Sequence, residues 1–235
     1  MTLRRSLALA VAALAVPVML AACSAGGTAS LPPIPSLAPA TPTPKPTHPG
    51  PTYPPGCPTE QPAPLAKGEA RDVTIKTDKG DIVVKVEADL SPIAAGNFVA
   101  LAECGYYDNV IFHRLAPGFV IQGGDGMFGR APNVVPDLVG GGKLKYTIQD
   151  EPVTAPYLRG TLAMAKTAQP DSADSQFFIV LDDLTGKLDP VYQVFGHVTS
   201  GMDVVDTIAA MPNSGAPNNS ALDPVAMTKV TVSKP

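Results

Sequence analysis

Phe112-His113-Arg114-Leu115-Ala116-Pro117-Gly118-Phe119-Val120-Ile121-Gln122-Gly123-Gly124-Asp125 and, further on, Ser175-Gln176-Phe177-Phe178-Ile179 are the two stretches on which the reading of this chain turns. Each reads as a strand with one or two polar side chains set among apolar ones. Together they offer an arginine, two glutamines and several aromatic or aliphatic residues that could line one shallow apolar site.

The flanking sequence supplies more strands. Val73-Thr74-Ile75-Lys76-Thr77 alternates, Asp78-Lys79-Gly80-Asp81 turns, and Ile82-Val83-Val84-Lys85-Val86 returns, which predicts a hairpin. Further strands are expected at 110–115, 119–123, 161–165, 176–181, 191–198 and 226–232. Ser91-Pro92 reads as an N-cap and first position of a helix that runs through Phe98 and Leu101 and closes at Gly105. A second helix fits 202–210, where Val204, Val205 and Ile208 share a face. Strands that never alternate with helices as βαβ units argue for a mainly β fold, a closed eight-stranded antiparallel barrel capped by two α-helices. Gly140-Gly141-Gly142 is followed by no phosphate-loop lysine and serine, so it reads as a flexible turn.

Composition divides the 235 residues into three parts. Residues 1–22 form a signal peptide: Arg4-Arg5, an apolar core from Leu7 to Met19, then small residues. The segment is short for a membrane span, which needs about 20 apolar residues. Leu20-Ala21-Ala22-Cys23 resembles the bacterial lipobox, which implies cleavage before Cys23, its lipidation, and attachment to the outer face of the cell membrane. Residues 23–66 are rich in proline and read as a disordered linker of polyproline II character, with a reach of the order of 100 Å. Residues 67–235 read as the globular domain, large enough for one core.

The formal charge is −4, and loss of Arg4 and Arg5 with the leader would take it to −6. An acidic chain lacks the basic patch that nucleic acid needs. It also lacks a polybasic segment for anionic lipid, so membrane attachment falls to Cys23. Cys57 and Cys104 then remain. In an oxidising compartment the pair allows a disulfide, and two free thiols fit the sequence equally. His48, His113 and His197 do not cluster and no zinc spacing occurs, so no metal is expected.

The order Phe-His-Arg, Pro-Gly-Phe, Gln-Gly-Gly-Asp, then Ala163-Met164-Ala165 and Ser175-Gln176-Phe177-Phe178-Ile179, resembles the cyclophilins, barrel-shaped peptidyl-prolyl cis-trans isomerases. Val194-Phe195-Gly196 and Gly201-Met202-Asp203-Val204-Val205 extend the likeness over nearly all of 72–232. Taken singly, Arg114 would satisfy carbonyls at a strand end, and Phe119 and Phe178 would be core. Their co-occurrence in family order decides otherwise.

The resemblance implies a catalytic pair, Arg114 with Gln122, the glutamine steadying the arginine. It implies a substrate site of Phe119, Val120, Ala165, Lys166, Gln176, Phe178, Leu188 and Tyr192. Phe119 and Phe178 would lie beneath the proline, Gln176 near the pocket for the preceding residue, and Ala165 and Lys166 on the strand whose backbone binds extended peptide. It implies no cofactor, proline-containing segments of unfolded or exported proteins as partners, and a monomer. A proline-peptide chaperone or scaffold with little turnover is the alternative.

Lys187 stands where eukaryotic-type members carry a pocket-rim tryptophan, and Tyr192 where histidine is frequent. The segment 126–142 is longer than the family norm. His113 invites a general-base role, but the reaction moves no proton. On a regular strand its side chain would also point away from Arg114, so it reads as structural.

Overall fold

The computed structural model describes residues 53–233. The expected signal peptide, Cys23 and the expected linker up to residue 52 lie outside the described residues.

The hairpin forms as expected. Strands β1 (Ala70–Thr77) and β2 (Gly80–Glu87) pair antiparallel with Thr77 opposite Gly80. Helix α1 (Pro92–Glu103) follows, then β3 (Val110–Ala116), β4 (Val120–Gly123), β5 (Thr161–Met164), β6 (Phe177–Val180) and β7 (Val194–Ser200). Helix α2 (Met202–Ala209) precedes β8 (Ala226–Met227) and β9 (Lys229–Val232). The sheet order is β8-β3-β4-β6-β5-β7-β2-β1-β9, and each pairing is antiparallel.

Nine strands therefore stand where eight were expected, because the run 226–232 is broken at Thr228. The Thr228 N–H leaves the ladder to bond the Lys76 carbonyl at 2.7 Å. β8 pairs with β3 and β9 with β1, so this one run of chain joins the two edges and brings the barrel to near closure.

Phe98 of α1 enters the core against Phe195 (5.0 Å between centroids), Tyr107 (5.1 Å) and Phe177 (5.2 Å, edge-on). Aromatic pairs at these separations add to the burial of their area. On α2, Val204, Val205 and Ile208 are buried as their spacing predicted.

The start of α1 differs from its sequence reading. The Ser91 side chain makes no capping bond, and its hydroxyl is buried without a partner. Glu151 caps the helix instead, its carboxylate accepting the Ile93 N–H at 2.8 Å and the Ala94 N–H at 2.9 Å. A carboxylate also suits the positive end of the helix dipole. Sequence distance hides such a cap.

Residues 53–66, assigned by composition to the linker, lie as an irregular strap against this helix. Cys57 and Cys104 form a disulfide, the open alternative in the sequence. The Leu65 N–H bonds the Pro92 carbonyl at 3.1 Å, and Gln61 accepts the Gln149 N–H at 3.1 Å. The strap runs so close to α1 that a Cβ on Gly96 would meet the Ala63 carbonyl at 2.4 Å. No helix among the described residues is long and apolar enough to cross a membrane.

Candidate active site

The interior of this barrel is filled by its own buried side chains, which leaves the outer wall for a ligand site. Strand alternation shows where. On β6, Phe177 and Ile179 join the central core, while Phe178 and Val180 belong to a second apolar cluster. Ile121 and Val120 on β4 divide the same way, as do Leu162 and Ala163 on β5 and Phe195 and Val194 on β7. Four neighbouring strands thus carry a second apolar layer outside the barrel, with Phe119, Ala165, Leu188 and Tyr192 packed on it.

That layer floors a groove of about 130 Å³ lined by Arg114, Phe119, Val120, Gln122, Ala165, Lys166, Phe178, Leu188 and Tyr192. The volume suits a small ring and falls below the 300–1,000 Å³ common for drug-sized ligands. These nine are the catalytic and substrate residues expected from the sequence, except Gln176. Phe178 meets Tyr192 edge-on at 5.5 Å. Tyr192 is fixed from behind by Tyr157, whose hydroxyl accepts its N–H and donates to its carbonyl, both at 2.9 Å.

Arg114 stands at the edge of this floor, its guanidinium carbon 5.7 Å from the Phe119 ring centre. Among the described residues it is in no ion pair. Its charge is therefore available to a ligand. Gln122 pairs with Arg114 across the β3–β4 ladder. The Gln122 side chain donates to the Gln176 amide oxygen at 3.2 Å, with no hydrogen bond to the guanidinium among the described residues.

Gln176 is buried behind the groove wall. Its amide nitrogen donates to the Gly140 carbonyl at 3.1 Å and the Gly142 carbonyl at 3.4 Å. The glycine run is thus held from both sides, where sequence suggested a flexible turn. The buried Asp125 carboxylate accepts the N–H groups of Met127 (3.0 Å), Phe128 (3.0 Å), Gly140 (2.7 Å) and Gly142 (3.0 Å). A Cβ at Gly142 would sit 2.0 Å from that carboxylate, so glycine is required by the close approach. Asp125 organises the site and has no role in the sequence reading: Met127 and Phe128 donate from its own turn, but Gly140 and Gly142 donate from a loop 15 and 17 positions away, and that pairing leaves no local signal.

His113 also departs from expectation. β3 carries a bulge: Phe112 pairs with Gly123 and Arg114 with Gln122, leaving His113 as the extra residue. Phe112 and Leu115 both enter the core, so His113 and Arg114 fall outside it together. They share a recess beside the groove with Gln122, Gly140 and Asn218. Burial pushes the imidazole pKa down to about 4; the Asp125 charge opposes this and the Arg114 charge adds to it. His113 is therefore a neutral neighbour of a cation near neutral pH.

Lys166 lines the groove with its side chain only 8% exposed and its ammonium paired with Asp150. Lys187 is exposed, its ammonium donating to the Asp183 carbonyl at 3.0 Å. No cluster of metal-ligating side chains occurs among the described residues.

Residues 72–232 match the model of a family described as cyclophilin type peptidyl-prolyl cis-trans isomerase/CLD. A peptidyl-prolyl cis-trans isomerase of Acinetobacter baylyi is 38% identical over 176 residues, covering 68% of this chain and 84% of that relative. Peptidyl-prolyl cis-trans isomerase B of Escherichia coli is 39% identical over 174 residues, covering 69% and 99%. Among solved structures, a cyclophilin type peptidyl-prolyl cis-trans isomerase of Cryptosporidium parvum superposes with a TM-score of 0.61 at 29% identity, over 71% of this chain and 99% of that one. The same protein crystallised in the presence of the dipeptide Ala-Pro gives 0.59 at 30% identity, over 70% and 99%.

Proposed function

The chain belongs to the cyclophilin-type peptidyl-prolyl cis-trans isomerases, and from that premise we propose that Arg114 provides the rate acceleration by binding the prolyl nitrogen of the twisted amide. Rotation about an X-Pro bond faces a barrier of about 20 kcal/mol because twisting destroys amide resonance. No bond to a nucleophile forms and no proton moves. A catalyst has only to bind the twisted amide better than either planar form.

In the twisted state the nitrogen regains a localised lone pair, which a fixed cationic donor can hydrogen-bond. Arginine remains charged and planar at any physiological pH. Phe119, Phe178 and Leu188 would hold the proline ring while the acyl side turns. The observation that carries this reading is the guanidinium free of ion pairs among the described residues, set at the edge of an apolar floor the size of a small ring.

The test is cis-trans exchange of a short Ala-Pro peptide followed by NMR, comparing the wild-type protein with Arg114→Ala. Loss of a single transition-state donor costs about a hundred- to a thousandfold in rate where measured in other enzymes. A similar loss with an unchanged circular dichroism spectrum is expected. Wild-type exchange rates in the variant would refute the arginine's role. Background exchange with both folded proteins would favour a peptide-holding scaffold.

The clients, in this reading, are exported proteins folding outside the cytoplasm, and the enzyme is a monomer anchored to the membrane by lipidated Cys23. The signal pattern over 1–23 supports this. The Cys57–Cys104 disulfide also supports it, since such bridges persist chiefly in oxidising compartments.

A further inference from the structure

Among the nine residues that line the groove, Arg114 and Lys166 are cationic and none is acidic. The chain as a whole carries −4, so this positive lining is a local feature. Arg114 is assigned to the prolyl amide. Lys166 has had no side-chain role.

The lysine is held in an unusual way for its type. A lysine ordinarily extends its head into water, with much rotamer freedom. Here the side chain is 8% exposed and the ammonium rests on Asp150. Asp150 is fixed in turn: its carboxylate accepts the Asp171 N–H at 3.1 Å, and its own N–H bonds the Asp171 carboxylate at 2.7 Å. Both sequence neighbours are tied down as well, Gln149 to Gln61 of the strap and Glu151 to the start of α1. An ammonium has three donors, and the bond to Asp150 uses one of them.

We propose that Lys166 is a specificity-determining residue that receives a substrate carboxylate, so that X-Pro segments with an acidic side chain one or two positions before the proline are favoured over basic ones. This deepens the reading above and rests on it. Ala165 and Lys166 line the same groove as Phe178 and Arg114, and the resemblance implies that their strand binds extended peptide, so with the proline over Phe178 and its amide at Arg114 the preceding residues would run along them. A carboxylate there meets a cation that is already ordered and partly shielded from water. A basic side chain meets like charge. Asp150 is a positioning residue with an opposing electrostatic effect, since it orders Lys166 while its own negative charge offsets the positive field.

The test is the ratio of kcat/KM for matched peptides carrying Glu or Lys at each of those two positions, with an Ala peptide as reference, at low salt. Charges about 6 Å apart at an effective dielectric of roughly 40 to 80 change kcat/KM by about three- to tenfold against the Ala peptide, in opposite directions for Glu and Lys, so the Glu:Lys ratio changes by about ten- to a hundredfold. Wild type should favour Glu over Lys by that factor at one position at least, and about 0.5 M salt should compress the ratio. Lys166→Met should bring the ratio close to one, Lys166→Arg should restore it, and Asp150→Asn should raise it. Opposite responses from two touching residues are not what a general packing defect produces. A Lys166→Met ratio equal to that of wild type would overturn the proposal, as would equal Glu and Lys rates in wild type. Failure of wild type to turn over the Ala peptide would instead sink the isomerase mechanism itself, so the two failures are distinguishable.

Discussion

Removing the Cys57–Cys104 disulfide should cost the protein about 4 kcal/mol, without changing its catalysis. The bridge joins residues 47 apart in sequence. In the chain-entropy treatment, closing a loop of that length removes unfolded-state freedom worth about 4 kcal/mol at 25 °C. That is a large share of a total stability of about 5–15 kcal/mol. The folded side changes less. The strap keeps its bonds to Pro92 and Gln149, its backbone contact with Gly96 and the tilted contact of the Tyr53 ring with Tyr106, 5.7 Å between centroids. Alanine at both positions preserves an apolar fill where Cys57 is buried. The chain has no tryptophan, so urea unfolding is best followed by far-UV circular dichroism. With a slope of about 2 kcal/mol per M, the midpoint of the double alanine variant should fall by about 2 M. The slope itself should rise, because the unfolded chain expands once freed. Reduced wild type should behave as the variant does. None of the groove-lining residues comes from the strap, so kcat/KM on an Ala-Pro peptide should agree with wild type within about twofold. A loss below about 1 kcal/mol at an unchanged slope would refute the reasoning, because the bridge would not then be constraining the unfolded chain.

Acid should destabilise the protein through His113. Its folded pKa, about 4, lies below its ordinary 6.5, so the folded state disfavours the protonated form. The contribution is intact above pH 6.5 and is lost as pH falls towards 4, reaching about 3 kcal/mol. His113→Gln should flatten the fall in unfolding free energy over that window, and an identical pH slope in the variant would disprove the assignment. For the anchor, metabolic labelling with a palmitate analogue should mark the wild-type chain in the membrane fraction and fail to mark Cys23→Ser. Equal labelling of both would remove lipidation at Cys23.

The readable parts of this chain were those whose cause lies within a few residues. Alternation in β1 and β2, the Asp-Lys-Gly turn, and the spacing of Val204, Val205 and Ile208 each act locally, and each appears where expected. Ser91 shows the limit of that reasoning. Its type and position suit an N-cap, yet Glu151 fills the role from 58 residues away. The break at Thr228 has the same origin, since the residue is drawn off the ladder by Lys76, a partner 152 positions distant. The strap could not be read from proline content, because composition reports what a segment lacks and a disulfide supplies what it lacks. Gln176 was placed at the substrate on resemblance. The structure gives it two loop carbonyls and a second glutamine, a set of partners visible only after the loop has folded.

The β3 bulge carries the largest consequence of this kind. Period-two alternation sends His113 and Arg114 to opposite faces of the sheet, which would bury one of them in the barrel interior. Placing Phe112 and Leu115 inward with two residues between them removes that conflict. Arg114 can then stand on the outer wall beside Phe119, while His113 lies under the glycine loop held by Asp125. A protonated imidazole in that position would set a second positive charge beside the arginine. Burial keeps it neutral at working pH. In the mechanism proposed above, which transfers no proton, a neutral neighbour is the useful one: it would fill space behind the cation and leave the field at the prolyl nitrogen to Arg114.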